Sequence, residues 1–385
     1  MGVTTDRATL RRYAGAALPL VLLALLVGWF LYAPPLSGGA GEPLPQVDVS
    51  HTTLPDSETV RLHVVNSGPE AVTVSQVLVD DAYWDFTVSG GQTLAPMERA
   101  TVTVPYHWEP GWDLGLTLVL SGGATVHHTV VAPQPTPAID AGLLGDLALV
   151  GLLVGVIPVG LGMLWFPAMR DLADRWLHAV LAFAVGVLGF LAVDAGFEAL
   201  EVAESVPGAY EGHLLVAFGA LGTLLLVQSV GSGRGSSPLG LAYLVALGIG
   251  LHNLAEGLAI GSAYALGRAS LGATLVVGFM VHNVTEGPAV VAPVAEGERP
   301  ALKHFLALGA LAGAPVVLGG WIGSAAYSPT LGALFIAVGV GAILQVCWEM
   351  GGMIRDRGRL GTATNLLAAG AGLAVMYATD LLVAL

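Results

Sequence analysis

Two His-Asn-x-x-Glu-Gly frames lie inside long apolar runs of this sequence. The first is HNLAEG, from His252 to Gly257, and the second is HNVTEG, from His282 to Gly287. In each frame the glutamate follows the histidine by four residues, so on a helix both side chains lie on one face, one turn apart. Imidazole and carboxylate groups together bind borderline divalent cations, and the pair of frames therefore predicts a metal site.

We expect the two frames to form one site, because they fall on successive spans that run in opposite directions. If the two helices pack side by side, His252, Glu256, His282 and Glu286 converge. Zn²⁺ suits this set best, Fe²⁺, Mn²⁺, Co²⁺ and Cd²⁺ suit it also, and Mg²⁺ and Ca²⁺ prefer all-oxygen shells. Two glutamates at mid-membrane cost roughly 5–7 kcal/mol unless they are paired or hydrated. The alternative is a buried His–Glu pair that only locks two helices together, although a lock needs neither a second pair nor a repeated asparagine.

The helices that carry these frames must belong to a multi-pass membrane protein. Of the 385 residues, 55% are hydrophobic and only 11% are charged, which is too apolar for a soluble protein of this length. The single cysteine, Cys347, excludes a disulfide framework and a thiolate metal cluster. Nine segments are long enough to span a bilayer. They lie at about 13–32, 143–166, 177–199, 212–231, 239–266, 270–294, 302–326, 330–351 and 363–384.

The distribution of basic residues predicts the topology. With the N-terminus in the cytoplasm, nine alternating spans place eleven of the 14 basic residues inside and three outside. The C-terminus and residues 34–140 are then extracytoplasmic, in a cell-membrane protein. Residues 1–33 are either a cytoplasmic tail with an uncleaved anchor or a signal peptide, and the long apolar core favours the anchor.

The exported segment has the pattern of short β-strands. Segments such as TVRLHVVN, AVTVSQVLV, ERATVTVPY and GLTLVLS alternate apolar and polar residues between turn signals, which predicts an immunoglobulin-like β-sandwich at 34–133. Residues 134–140 form a proline-rich linker. The twelve acids and two basic residues of 34–140 either attract cations or only keep the surface hydrated. His127 and His128 are adjacent, so on a strand they point to opposite faces and do not favour a shared ion.

The membrane block, about 141–385, resembles the ZIP family of divalent-metal transporters. The likeness rests on the order of the twin frames, on LAFAVGVLGFLAVDAGFEAL before them and on FIAVGVGAILQVCWEM after them. It implies an eight-helix ZIP-like bundle, here preceded by one transmembrane helix and the β domain. It also implies delivery of metal into the cytoplasm, a primary site at the four His and Glu residues, and a homodimer. Asn253 and Asn283 would face a neighbouring second site.

Three positions depart from the family pattern. Ala255 and Thr285 stand where the family frames have proline, and Ala314 stands where many relatives have an acid before the proline. The second site therefore lacks a carboxylate, and we expect it to be weak or absent. The loop VGSGRGSSPLG has no histidine, which does not favour metal sensing there.

Further polar residues suggest a route through the bundle. Asp194 and Glu198 share a helical face near the outer end of their span. They either form an access relay or are simply hydrated. Asp146 and Asp380 also map to the outer ends of their spans. Gln345 and Glu349 lie one turn apart near the inner end and mark an exit step, unless Glu349 pairs with Arg355.

The sequence thus predicts a divalent-metal transporter, with zinc as the first choice, and not an enzyme. Its expected partners are the metal ion, the lipid bilayer, a second copy of the chain and an unidentified partner of the β domain, without nucleic acid. One alternative is a non-transporting metal-sensing receptor or scaffold. Another is an intramembrane metal hydrolase, which the absence of HExxH does not favour.

Overall fold

The computed structural model describes residues 21–29, 45–232, 237–295, 298–325 and 328–384. Residues 21–29 are helical (α1) and belong to the first predicted span. The rest of that span, and with it the choice between an anchor and a signal peptide, lies outside the described residues. Residues Pro45–Leu385 form one compact unit, which contains a β domain followed by a helical part.

Two antiparallel sheets form the β domain, residues 45–133. One sheet has the strand order β1-β2-β7-β5, and the other has the order β4-β3-β8-β9, with β6 paired to β3. Both inner faces bury mainly valine and leucine, since alternate residues of each strand point into the core. The strands are β1 Val47–Asp56, β2 Thr59–Asn66, β3 Val72–Val79, β4 Ala82–Trp84, β5 Thr87–Val88, β6 Thr93–Leu94, β7 Arg99–Pro105, β8 Leu114–Leu120 and β9 Thr125–Val130.

The strand prediction is confirmed wherever the sequence alternates clearly. TVRLHVVN is β2 without a shift, and both ends of AVTVSQVLV, ERATVTVPY and GLTLVLS lie within one residue of the ends of β3, β7 and β8. β1 was not predicted. Six successive residues of β1 are only partly buried, because this strand lies at a sheet edge, so the alternation on which the prediction depended is weak.

The helical part begins at Ala141. Its first span runs through α2 Ala141–Gly151, a π-helical turn Leu152–Val156, α3 Ile157–Met163 and α4 Phe166–Arg170. The remaining helices are α5 Asp174–Glu204, α6 Gly212–Ser232, α7 Pro238–Ala265, α8 Ala269–Val291, α9 Leu302–Gly313, α10 Pro315–Ala325, α11 Pro329–Asp356 and α12 Ala363–Ala384. Seven spans among the described residues are long and apolar enough to cross a membrane. The chain is a multi-pass membrane protein.

The structure differs from the nine predicted spans in two respects. Seven of them correspond to the candidate spans, while α12, the eighth of the predicted bundle, is a 22-residue helix that packs on α5 but is not among the seven. The predicted span at 302–326 is divided into α9 and α10 at Ala314. Pro315 causes this break, because it has no N–H to donate to the carbonyl of Leu311.

Glycines let α7 pack closely on α10. A Cβ on Gly257 would meet the carbonyl oxygen of Val316, and one on Gly261 would meet that of Gly320. In the other direction, Gly319 of α10 lies against the carbonyl oxygen of Leu254. Small residues four apart on facing helices allow backbones to approach this closely in membranes. The contact fixes the turn of α7 that carries the first frame.

The second frame is fixed in the same way. A Cβ on Gly287 of α8 would lie 2.5 Å from the carbonyl carbon of Gly162 and 2.5 Å from the backbone nitrogen of Met163. α8 therefore packs its frame against α3, with Pro288 inside the helix one residue further on. Each frame is thus held next to a glycine at a backbone-to-backbone contact.

The linker holds one end of the helical part against the β domain. Thr136 exchanges two hydrogen bonds with the backbone of Leu54 in β1, each 2.8 Å long. Gly267, in the loop between α7 and α8, lies beside the backbone of Gln134 and Pro135. We call the end of the helical part that carries this loop the β-domain end.

Candidate metal site

A buried cluster forms where the two frames meet. His252, Glu256 and His282 each offer one ligand atom, and these three atoms lie within 4.8 Å of one another. Nε2 of His252 is 3.0 Å from Oε1 of Glu256, and Nε2 of His282 forms a hydrogen bond with the same oxygen. The exposed fraction of all three residues is 6% or less. Three of the four predicted ligands therefore lie together, with both imidazoles next to the carboxylate of Glu256.

Glu286, the fourth predicted ligand, lies beside this cluster but is not one of the three grouped atoms. It is 1% exposed, and its Oε2 accepts a hydrogen bond of 3.3 Å from Nδ2 of Asn253. Its other oxygen, Oε1, has no hydrogen-bond partner. Glu286 is therefore held by Asn253 and not by the histidines of the cluster.

Each frame's asparagine holds the other frame's glutamate. Asn253 of the first frame donates to Glu286 of the second, and Asn283 of the second donates to Oε2 of Glu256 in the first, at 3.0 Å. The same two amides also donate to backbone oxygens, Asn253 to Ala312 and Asn283 to Val154, both at 3.0 Å. The asparagines position the carboxylates, a role that the sequence analysis did not assign. The second site implied by the resemblance stays a prediction.

The unpartnered polar atoms of the bundle are suited to a cation. Among the described residues, the buried side-chain oxygens of the helical part without a hydrogen-bond partner are Oε1 of Glu286, Oδ1 of Asn253, Oδ1 of Asn283 and Oε1 of Gln345. The three amide oxygens can only accept, and so can the carboxylate oxygen of Glu286 when it is ionised. Buried acceptors without donors are costly, and a bound cation would satisfy those that can reach it.

A cavity of about 210 Å³ leads to the cluster. Asp194, Glu198 and Asp380 line it together with the cluster residues. These acids lie in the parts of α5 and α12 nearer the β-domain end, so a cation that entered from this end would pass carboxylates before it met the imidazoles. The predicted access residues Asp194 and Glu198 thus share a cavity with the cluster, as does Asp380, whereas Asp146 does not line it.

Gln345 and Glu349 lie one turn apart on α11, as predicted from their spacing. Nε2 of Gln345 donates to Oε1 of Glu349 at 3.1 Å. Arg355, the alternative partner considered for Glu349, is 3.4 Å from Asp356. Gln345 is fully buried, and neither residue lines the cavity that leads to the cluster.

Comparison with known proteins does not identify a relative: no protein-family model matches the sequence, and no curated protein matches it. The chemistry of the cluster and its cavity is therefore the basis for inferring function.

Proposed function

We propose that this protein transports a divalent metal ion, most suitably Zn²⁺, across the membrane through the site formed by the two frames. The observation that carries the proposal is the group of His252, Glu256 and His282 at the end of a cavity lined by acids. Two imidazoles and a carboxylate match the ligand preference of zinc and allow Fe²⁺, Mn²⁺, Co²⁺ or Cd²⁺. The metal is the substrate here and not a resident cofactor.

A cavity and unpartnered acceptors favour transport over a helix lock. A lock would be complete when its own hydrogen bonds are made, yet Glu286 and both asparagines keep buried acceptor atoms without partners. A lock would also not need an approach path, whereas three carboxylates line a path to the cluster. An ion that passes through can bind these acceptors in turn.

The same proposal includes the number of spans, the oligomeric state and the orientation of the chain in the membrane. The resemblance of the membrane block to the ZIP family supports an eight-helix bundle in which α12 is the last span, and assembly as a homodimer. The basic residues support a cytoplasmic N-terminus, with the β domain and the C-terminus outside. The two-sheet β domain then resembles an immunoglobulin-like sandwich on the extracytoplasmic side.

In this orientation the metal enters from the β-domain end. It passes Asp194, Glu198 and Asp380, is held by the imidazoles and carboxylates of the two frames, and leaves past Gln345 and Glu349. Transfer of a doubly charged ion from water into a membrane is expensive, so each carboxylate along the route lowers the free-energy barrier to one step of its passage. Asn253 and Asn283 keep the two central carboxylates in place between ions.

Flux in proteoliposomes tests the proposal. Glu256→Gln keeps the shape of the side chain but removes the charge shared by both histidines, so Zn²⁺ uptake, read with an enclosed zinc-sensitive dye, should fall to the level of empty liposomes. Glu204→Gln, an exposed acid at the end of α5, is the matched control and should transport like the wild type. Equal uptake by Glu256→Gln and wild type would refute the proposal.

The same preparation separates the alternatives. Zn²⁺ binding that depends on Glu256 but occurs without flux in the wild type would identify a metal-sensing receptor or scaffold. Cleavage of a substrate that stops on chelation and in Glu256→Gln would identify a hydrolase. Neither alternative accounts for the acid-lined cavity as directly as transport does.

A further inference from the structure

A groove opens on the outer surface of the helical part, with α3 and α4 on one side and α9 on the other. It has a volume of about 350 Å³ and is lined by residues between 156 and 167 and between 299 and 310. We call it the α3–α9 groove. Three of its leucines, Leu164, Leu302 and Leu306, are each at least 68% exposed, so in a bilayer the groove is open to lipid.

Small residues keep the groove empty of side chains. Among the described residues, a Cβ on Gly160 would meet no atom within 4 Å, and one on Gly309 would meet only Sδ of Met163, at 3.4 Å. Phe166 is buried below and packs edge-on against Phe305, with ring centroids 4.8 Å apart. An apolar space without a guest loses dispersion contacts along its walls. The walls therefore favour an apolar guest of small cross-section.

A cation lies at one end of the groove. Of the described residues that line it, only Arg299 is charged, and Glu298, next to it in the chain, is not among them. None of the ion pairs between described residues includes Arg299. Arg299 precedes α9, whose first turn has neither a side-chain cap nor an acid. The first N–H groups of a helix have no partner within it, so this end of the groove favours an anion.

Two more basic residues lie near the same end. Cζ of Arg170 is 5.8 Å from the ring centroid of Phe166, which lines the groove. Lys303 follows Leu302 in α9 and is exposed. The groove thus has an apolar length and a basic end, which are the two features that a phospholipid would match.

The position and length of the groove also fit a lipid. The span formed by α2, α3 and α4 begins at the linker and ends at Arg170, so the basic end lies opposite the β-domain end, where the bundle leaves the bilayer. From Leu302 to Ala310, the last groove residue of α9, the helix rises by roughly 12 Å. One leaflet of a bilayer has a hydrocarbon layer of about 15 Å. The groove therefore runs along most of one leaflet.

We propose that the α3–α9 groove binds an anionic phospholipid, with one acyl chain between α3 and α9 and the phosphate at Arg299. A guanidinium matches the geometry of phosphate oxygens, and basic pockets between transmembrane helices bind anionic headgroups. A zwitterionic lipid has the same phosphate, but its ammonium group adds a positive charge next to the basic end. We therefore expect a preference for net negative headgroups.

Native mass spectrometry of the full chain tests the proposal. The protein is purified in detergent and mixed with phosphatidylglycerol or phosphatidylcholine of the same acyl chains. The wild type should retain one phosphatidylglycerol at least about fivefold more than phosphatidylcholine, since one basic residue near a headgroup contributes about that factor. Equal retention of the two lipids would overturn the proposal.

Two pairs of variants assign the lipid to the groove. Arg299→Gln should lower phosphatidylglycerol retention by about fivefold, whereas Arg359→Gln, which removes the same charge in the loop after α11, should retain it like the wild type. Gly160→Leu should fill the groove and remove the lipid. Its control is Gly222→Leu on α6, where a Cβ also meets nothing within 4 Å.

The same variants exclude other occupants. If Gly160→Leu does not fold, the comparison of Arg299→Gln with Arg359→Gln still decides. Unchanged retention in both Arg299→Gln and Gly160→Leu would refute the assignment. Loss of dimers in Gly160→Leu with unchanged lipid retention would assign the groove to a second copy of the chain. Displacement of the lipid by inorganic phosphate, with full retention in Gly160→Leu, would assign Arg299 to a free anion and would also overturn the proposal.

Discussion

Replacement of Asn283 by leucine tests whether the repeated asparagines position the glutamates. The variant removes two hydrogen bonds, each 3.0 Å long, to Oε2 of Glu256 and to the backbone oxygen of Val154. Interhelical hydrogen bonds in membranes contribute about 0.6 kcal/mol on average and up to about 1.7, so the loss of stability should be about 1–3 kcal/mol. Loss of a group that orients a ligand typically weakens metal binding by roughly 10–100-fold. Affinity should therefore change by at least about 1.4 kcal/mol.

Zn²⁺ titration and thermal unfolding of the purified protein distinguish these two effects. Asn365→Leu is the matched control, because Asn365 is also buried and its Nδ2 donates to the backbone oxygen of Arg359 at 2.9 Å, outside the cluster. The control should lose stability but keep its affinity, whereas Asn283→Leu should lose both. If the two variants bind Zn²⁺ equally well, Asn283 does not position Glu256 and the reasoning is wrong.

Two substitutions test the packing. Gly287→Ala should destabilise the protein by about 1–3 kcal/mol or more and weaken Zn²⁺ binding, because its Cβ would lie 2.5 Å from the backbone nitrogen of Met163. The control is Gly160→Ala, whose Cβ meets nothing within 4 Å and which should leave the melting temperature unchanged. Equal melting temperatures of the two variants would contradict the packing. Trp108→Phe should lower the free energy of unfolding of the β domain, measured in urea, by about 1–3 kcal/mol, because the buried indole donates a 2.7 Å hydrogen bond to a backbone oxygen of β1. The control is Trp112→Phe, which replaces a residue that is 76% exposed and should leave this free energy almost unchanged. A larger loss in Trp112→Phe than in Trp108→Phe would count against this account.

The sequence predicted the site better than it predicted the roles within it. Spacing alone placed His252 with Glu256, and His282 with Glu286, on one face of each helix. Ligand atoms from three of these four residues do meet. The sequence could not show that Glu256 would be shared by both histidines while Glu286 turned toward Asn253. That outcome depends on the rotation of α8 relative to α7, which glycine contacts with other helices determine and which no periodicity within either frame records.

For the fold, too, features with a local sequence pattern were predicted, whereas irregular turns and contacts between distant segments were not. Strands with a buried face, such as β2 and β8, were found because alternation is a local signal. The π-helical turn at Leu152–Val156 was not found, since its sequence, LLVGV, is an ordinary apolar run. The contact of the β domain with the helical part was also missed, because the linker composition predicted only a spacer, whereas Thr136 is bonded to Leu54.

The two irregular segments explain why each frame carries an asparagine. The carbonyl that accepts from Asn283 belongs to Val154, inside the π-helical turn, and the one that accepts from Asn253 belongs to Ala312, three residues before Pro315. Helix irregularities of this kind often lie at functional sites, where they alter which backbone groups are available as partners. Each amide therefore connects a neighbouring helix at its irregular segment to the carboxylate of the opposite frame. The two N–H groups of each amide are then occupied, one by this backbone oxygen and one by the opposite carboxylate, so neither asparagine has a donor left for the glutamate of its own frame.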